Sequence, residues 1–217
     1  MRNLLMKEFK LATPVLTYLF IGFALMTFVP GYPILCGAFF VCLGIFQGYQ
    51  LNRDSNDILY SVLLPVSKSE VVRGKYLAVV VLQMAAFLLC GICTLVRMTK
   101  LSNVLVYENN VLMPANFVYL AFVLLIFACF NAIFLGGFFK TAYDIGKPFI
   151  SFIIVNFIII AAAEALHYMP GLEWTNALDF SFLGKQVTSL IVAIFIYVAT
   201  TIISCRKSCL RFQKIDL

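Results

Sequence analysis

Six stretches of mainly apolar residues, over about 14–29, 34–50, 76–96, 115–139, 149–166 and 187–204, alternate with short polar gaps that hold most of the charge. Nothing else in the sequence limits the possible folds so strongly. A bilayer's hydrocarbon core, about 30 Å thick, is crossed by about 20 helical residues, so segments of this length read as membrane spans. Composition agrees: 63% of residues are hydrophobic and 12% charged, against about 25% charged in soluble domains. The expected fold is all-α, a single transmembrane domain over 1–217 with six transmembrane helices. Spans and links use up nearly the whole chain, which leaves no room for a soluble catalytic domain. The run at 34–50 follows the first too closely, and with no small-residue cleavage site before it, for 14–29 to be a signal peptide; the first run reads as a retained helix.

Of the 16 Lys and Arg, all but Arg97, Lys100 and Lys185 fall in the N-terminal segment, the 51–75 interval, the 140–147 link or the tail from Arg206 to Leu217. Positive residues gather on the cytoplasmic face, so both termini and the 51–75 interval are expected there. The net charge of +6 then reads as contact with anionic lipid rather than with nucleic acid. Residues 1–13 set Leu4, Leu5 and Phe9 against Arg2, Lys7 and Lys10, the pattern of a short helix lying in the membrane interface. The seven cysteines lie in apolar runs or beside the basic tail and form no disulfide framework. Cys90-x-x-Cys93 lacks a second ligand pair and reads as helix packing. No metal site and no catalytic residue is expected.

The largest polar interval, 51–75, has two helix starts rather than a linker's composition. Asp54 or Ser55 can cap a helix of about two turns in which Ile58, Leu59, Val62 and Leu63 share a face and which Pro65 ends. Ser67 and Glu70 form an S-x-x-E capping box, so a second helix starts at Ser67 and runs on into the third span. A short amphipathic helix held between two spans either lies on the membrane or docks a soluble partner.

The segment DSNDILYSVLLPVSKSEVVRGKYL resembles the cytoplasmic loop of type-two ABC exporter permeases (the ABC-2 type) through Leu64, Pro65, Val66, Ser67, Glu70, Gly74, Lys75 and Tyr76. The resemblance extends to the plan of the chain: an N-terminal "elbow" helix, six spans, cytoplasmic termini and an irregular outer loop before the last span. It implies that 56–64 is a coupling helix seated in a separate ATPase subunit. Asp57, Ile58, Leu59, Tyr60, Val62, Leu63, Leu64, Pro65, Ser67 and Glu70 would form the coupling segment. The chain has no G-x-x-x-x-G-K-[ST] loop, so ATP and magnesium belong to the partner and the chain itself is not an enzyme. One coupling helix per chain calls for two permease chains, as a homodimer or a related pair.

Polar residues inside spans are costly and mark paths or interhelical contacts. Glu164, Asn131 and Asn156 are path candidates, with Gln47 and Gln83 as further buried amides, while Gly136-Gly137 permits close helix approach or a bend. The loop 167–186, with the only Trp and the only His, is expected to be a short re-entrant or interfacial helix. By resemblance Trp174, Phe180 and Phe182 are outer-gate candidates; as aromatics beside a membrane they equally fit a headgroup belt.

The expected function is the permease subunit of an ABC exporter in a bacterial cytoplasmic membrane, multi-pass, moving an amphipathic or antimicrobial peptide or another hydrophobic compound. Two alternatives are a vitamin-binding membrane subunit of an energy-coupling importer and a membrane-embedded lipid-modifying enzyme using Glu164, His167 and Asp179. A structural or assembly protein is the third.

Overall fold

The computed structural model describes residues 2–102, 104–108, 111–166, 168–178 and 180–215, and every regular element among them is helical. In order these are α1 (Arg2–Lys7, running on as a π-helical turn over Glu8–Ala12), α2 (Val15–Ile21, tightening to 3-10 over Gly22–Phe28) and α3 (Cys36–Asp54). There follow α4 (Asp57–Leu63), α5 (Lys68–Lys100), α6 (Leu105–Glu108), and α7 (Phe117–Cys129, continuing through a π segment Phe130–Leu135 to Phe138). The last two are α8 (Gly146–Leu166) and α9 (Leu183–Gln213).

Helices α5, α7, α8 and α9 are long and apolar enough to cross a membrane, and α1 with α2 makes a fifth candidate if that bent pair is one span. The six-span expectation is therefore met only in part. Helix α3 spans the second apolar run but carries Gln47, Gln50, Asn52 and Arg53 in its second half, which dilute its hydropathy. Between α1 and α2 the chain turns by 91°. Pro14 sits at that corner with extended backbone and no N–H to continue a helix.

Two other expectations at helix ends change. The basic tail is helix, since α9 continues to Gln213. Ser204, Ser208 and Phe212 recur every fourth residue on its buried side while Arg206, Lys207 and Arg211 face out, so charge there marks one face rather than an end. Among its described residues the 167–186 loop, expected as a short re-entrant or interfacial helix, holds two three-residue 3-10 turns, Glu173–Thr175 and Phe180–Phe182, before α9 begins at Leu183.

Helix α7 is the centre of the bundle: 72% of its most apolar window is buried, against 28% for α8 and 17% for α9. It packs on α9, α5, α8 and α3. Its neighbours fill the inner half with rings, Phe46 stacking on Phe149 at 3.7 Å and Phe134 meeting Tyr49 edge-on at 5.3 Å. Helices α2 and α3 form a tight hairpin because α3 presents glycines to it. Thr17 donates to the Gly44 carbonyl at 2.8 Å, and a Cβ on Gly44 would overlap the Phe20 side chain.

Both described ends of the chain lie at the same end of the bundle as α4. Lys75 near the start of α5 reaches Glu8, and Lys68 donates to the Ile215 carbonyl at 2.7 Å.

Candidate functional site

Helix α4 is set apart by its two ends. Asn56 adopts a left-handed conformation (φ 54°, ψ 31°) that breaks it from α3, and no side chain caps it, so neither Asp54 nor Ser55 has the expected role. Leu64 is extended ahead of Pro65, as a residue before proline prefers. The Ser67–Glu70 capping box is complete: Glu70 N–H donates to Ser67 Oγ at 3.2 Å and Ser67 N–H to Glu70 Oε2 at 2.9 Å.

The helix is rotated from the apolar face read in the sequence. Ile58 and Ser61 are buried and Val62 half-buried, while Leu59, Tyr60, Leu63 and Leu64 are exposed, Leu63 by 75%. Ionic contacts account for the rotation. Lys75, only 2% exposed, donates to Asp57 Oδ2 at 2.6 Å and to Glu8 Oε2 at 3.1 Å. Lys7 pairs with Asp57 Oδ1 and with Glu8 Oε1 and donates to Ser61 Oγ. Two lysines and two carboxylates thus alternate in a neutral cluster that joins α1, α4 and α5, and α4 must turn Asp57 and Ser61 inward to complete it.

Charges removed from water cost several kcal/mol each unless every one is paired. Burial pushes the Asp57 carboxyl up, but the Lys75 charge and the hydrogen bonds from Lys7 and Lys75 outweigh it and hold its pKa below the ordinary carboxylate value. Asp57 is therefore an anchor of α4 and not part of its exposed surface. Glu8 and Lys7 escaped the sequence reading as members of this site. One signal was available: Glu8 is the sole acidic residue before Asp54.

Farther along the bundle, the buried polar side chains divide into satisfied and unsatisfied. Gln83 and Asn131 exchange two amide hydrogen bonds at 2.9 and 3.0 Å, and Tyr197 donates to Gln83 Oε1 at 2.9 Å. The Asn131 carbonyl, in the π segment, accepts from Ser204 Oγ at 2.7 Å, and Tyr76 bonds Ser204 and Ser208 at 2.8 and 2.9 Å. Asn131 and Gln83 therefore hold α5, α7 and α9 together. Asn156 differs: it is fully buried and neither polar atom of its amide has a partner among the described residues. Gln47 on α3 is half-buried, and its Oε1 is buried without a partner among the described residues.

A family model described as "ABC-2 family transporter protein" matches residues 3–213. The chain belongs to the ABC-2 transporter family. The match takes in all the helices described above but for the first residue of α1, and includes the four members of the ionic cluster. No curated protein and no solved structure matches the chain. As an ABC-2 permease it is a multi-pass membrane protein of a family that works with an ABC ATPase and in a lipid bilayer.

At the end of this ABC-2 chain away from α4, the loop before α9 is pinned down. Asn116 caps α7 through Oδ1, accepting from Val118 and Tyr119 N–H, and its Nδ2 donates to the Thr175 carbonyl at 2.7 Å. Gln186 holds the Trp174 and Ala177 carbonyls at 3.1 and 2.9 Å. Trp174 is half-buried against the core, whereas Phe180 and Phe182 are exposed. Glu164 Oε2 accepts the Met113 N–H at 2.7 Å, tying the loop before α7 to α8. Arg97, 1% exposed, donates to the Thr27 carbonyl at 2.8 Å and lies 4.3 Å over the Tyr107 ring, which fastens α5 to the end of α2. His167 and Asp179 lie outside the described residues.

Proposed function

We propose that this ABC-2 family chain is the permease subunit of an ATP-binding cassette exporter and that α4 is the helix its separate ATPase subunit grips. One observation carries the reading. Helix α4 turns Leu59, Tyr60, Leu63 and Leu64 outward while ion pairs fix its other side to α1 and α5. A short helix that is apolar on the outside and ionically bolted on the inside suits a contact that must be covered by a partner and must transmit force. Closure of the ATPases on ATP would shift α4, and Lys75 and Lys7 would pass the displacement to α5 and α1 as one body.

In this account α2, α3, α5, α7, α8 and α9 are the six crossings, α1 is the elbow in the interface, and both termini face the cytoplasm of a bacterial cell. The distribution of Lys and Arg supports that orientation. ATP and magnesium are handled by the partner. A second permease chain, identical or related, supplies the second α4, and the broad apolar faces of α8 and α9 offer surface for it and for lipid. Asn156 and the Oε1 of Gln47 are the best-placed path groups, because a polar atom buried without a partner is a standing cost that a polar group of the cargo relieves. The cargo class is an amphipathic or antimicrobial peptide or another hydrophobic compound.

The test is co-purification with the ATP-binding subunit encoded beside it. The wild-type chain retains that subunit, and the L59A/L63A/L64A variant, folded to the same thermal stability, loses most of it. Undiminished association and coupled turnover in the variant would remove α4 from the docking role.

A further inference from the structure

A cavity of about 460 Å³ opens where the C-terminal end of α7, the link to α8 and the last turns of α9 meet. Lys140, Lys147 and Arg211 line it together with Thr141, Asp144 and Ser151. No ion pair engages any of these three cations among the described residues, in contrast to Lys7 and Lys75 in the cluster at α4. Asp144 caps the start of α8, its Oδ1 accepting the Lys147 backbone N–H at 3.4 Å, and its one negative charge leaves the three cations in excess in the cavity. Arg211 spends one nitrogen on the Gly136 carbonyl at 2.9 Å, which holds the guanidinium at the rim and leaves its other donors to the cavity. The paired glycines bring these parts together, since a Cβ on Gly137 would lie 2.8 Å from the Pro148 ring and hold the link off α7.

The cavity also has an apolar continuation. Ala132 and Ile133 of α7 line it alongside the cations. On α8, Lys147 and Ser151 are followed on the same helical face by Ile154 and Ile158, at successive spacings of four, three and four residues. These two isoleucines are 58% and 62% exposed. A basic, hydroxyl-bearing recess thus leads straight onto an exposed aliphatic stripe of a membrane-crossing helix.

We propose that this cavity is a binding site for one anionic phospholipid of the adjoining leaflet, its phosphate held by Lys140, Lys147 and Arg211 and an acyl chain laid along Ile154 and Ile158. Unpaired cations at the membrane surface match an anionic headgroup, and the recess falls in the size range of small-ligand sites. A free phosphate would use the cations but not the stripe. An acidic protein segment would use them without needing the membrane. The proposal rests on the membrane-crossing character of α7, α8 and α9 and not on the ATPase assignment, so either can fail alone.

Native mass spectrometry of the full-length chain in detergent, loaded with phosphatidylglycerol or phosphatidylcholine, reads the site. The wild type holds one phosphatidylglycerol in preference to phosphatidylcholine, and 10 mM inorganic phosphate, a probe concentration of about that order, does not displace it. The K140Q/K147Q/R211Q variant loses that retention by about tenfold or more. K147Q alone loses part of it, which serves if the triple variant folds poorly. A control, K10Q/K207Q/K214Q, removes three exposed cations that do not line the cavity and retains the lipid. Equal loss in both triple variants would reveal diffuse adsorption, displacement by phosphate would reveal a simple anion site, and no preference for phosphatidylglycerol would mean no site; each overturns the proposal.

Discussion

Lys75 shows how one residue can define a site that its neighbours in sequence do not announce. It stands near the start of a membrane-crossing helix, almost wholly buried, with carboxylates from two other elements on its ammonium group. Removing one member of such a cluster strands the opposite charges, so Lys75→Met should destabilise the chain by about 3–5 kcal/mol in a denaturation titration of the detergent-solubilised protein. Neutralising one carboxylate as well, with Glu8→Gln, leaves the Lys7–Asp57 pair balanced and should recover much of the loss. Recovery would identify unpaired charge rather than lost packing as the cause. The same cluster sets a pH dependence. Because the folded-state pKa of Asp57 is lowered, its ionisation stabilises the fold above the unfolded value of about 3.9 and ceases to do so as pH falls below that through the folded value. Stability measured across this acid range should fall more gently in Asp57→Asn than in the wild type.

Among the elements, what could be read from sequence was whatever neighbouring residues decide. Pro14 and Pro148 lie at helix starts, Pro65 follows the end of α4, and the Ser67–Glu70 box opens α5 as its spacing predicts. The rotation of α4 could not be read that way. Four apolar positions at helical spacing point to one buried face, yet the deciding contacts come from Lys7 and Lys75, far away along the chain. The course of α9 was hidden for a related reason: charge on one face looked like the end of a helix until Ser208 and Phe212 were seen to pack inward. Close packing of the α2–α3 hairpin gives a test at this scale. Gly44→Ala forces a methyl into Phe20 and should cost about 1–3 kcal/mol. Gly91→Ala on α5, where a Cβ meets nothing within 4 Å, should leave stability unchanged or slightly raised.

At the scale of the whole molecule, the apolar runs announced a membrane protein, and the helices confirm that class while dividing the runs unequally. Four are helices long and apolar enough to cross a membrane; the first run is a bent partner of α1, and the second is a helix whose amides lower its hydropathy. Interior amides could be found by inspection, but only their partners separate the structural pair Gln83–Asn131 from the unpartnered Asn156 and Gln47. The outer loop is held by Asn116 and Gln186, which pin it through its carbonyls, a role that neither residue's position in the sequence announces. What unifies the molecule is the cluster at α4, where the chain's first helix, its short exposed helix and its longest helix meet. If that junction is where an ATPase pushes, a photo-crosslinking residue at position 63, whose leucine is 75% exposed, should capture the ATP-binding subunit. The same probe at Leu105, 71% exposed at the opposite end, should capture none of it. Capture at both positions alike, or at neither, would contradict the account.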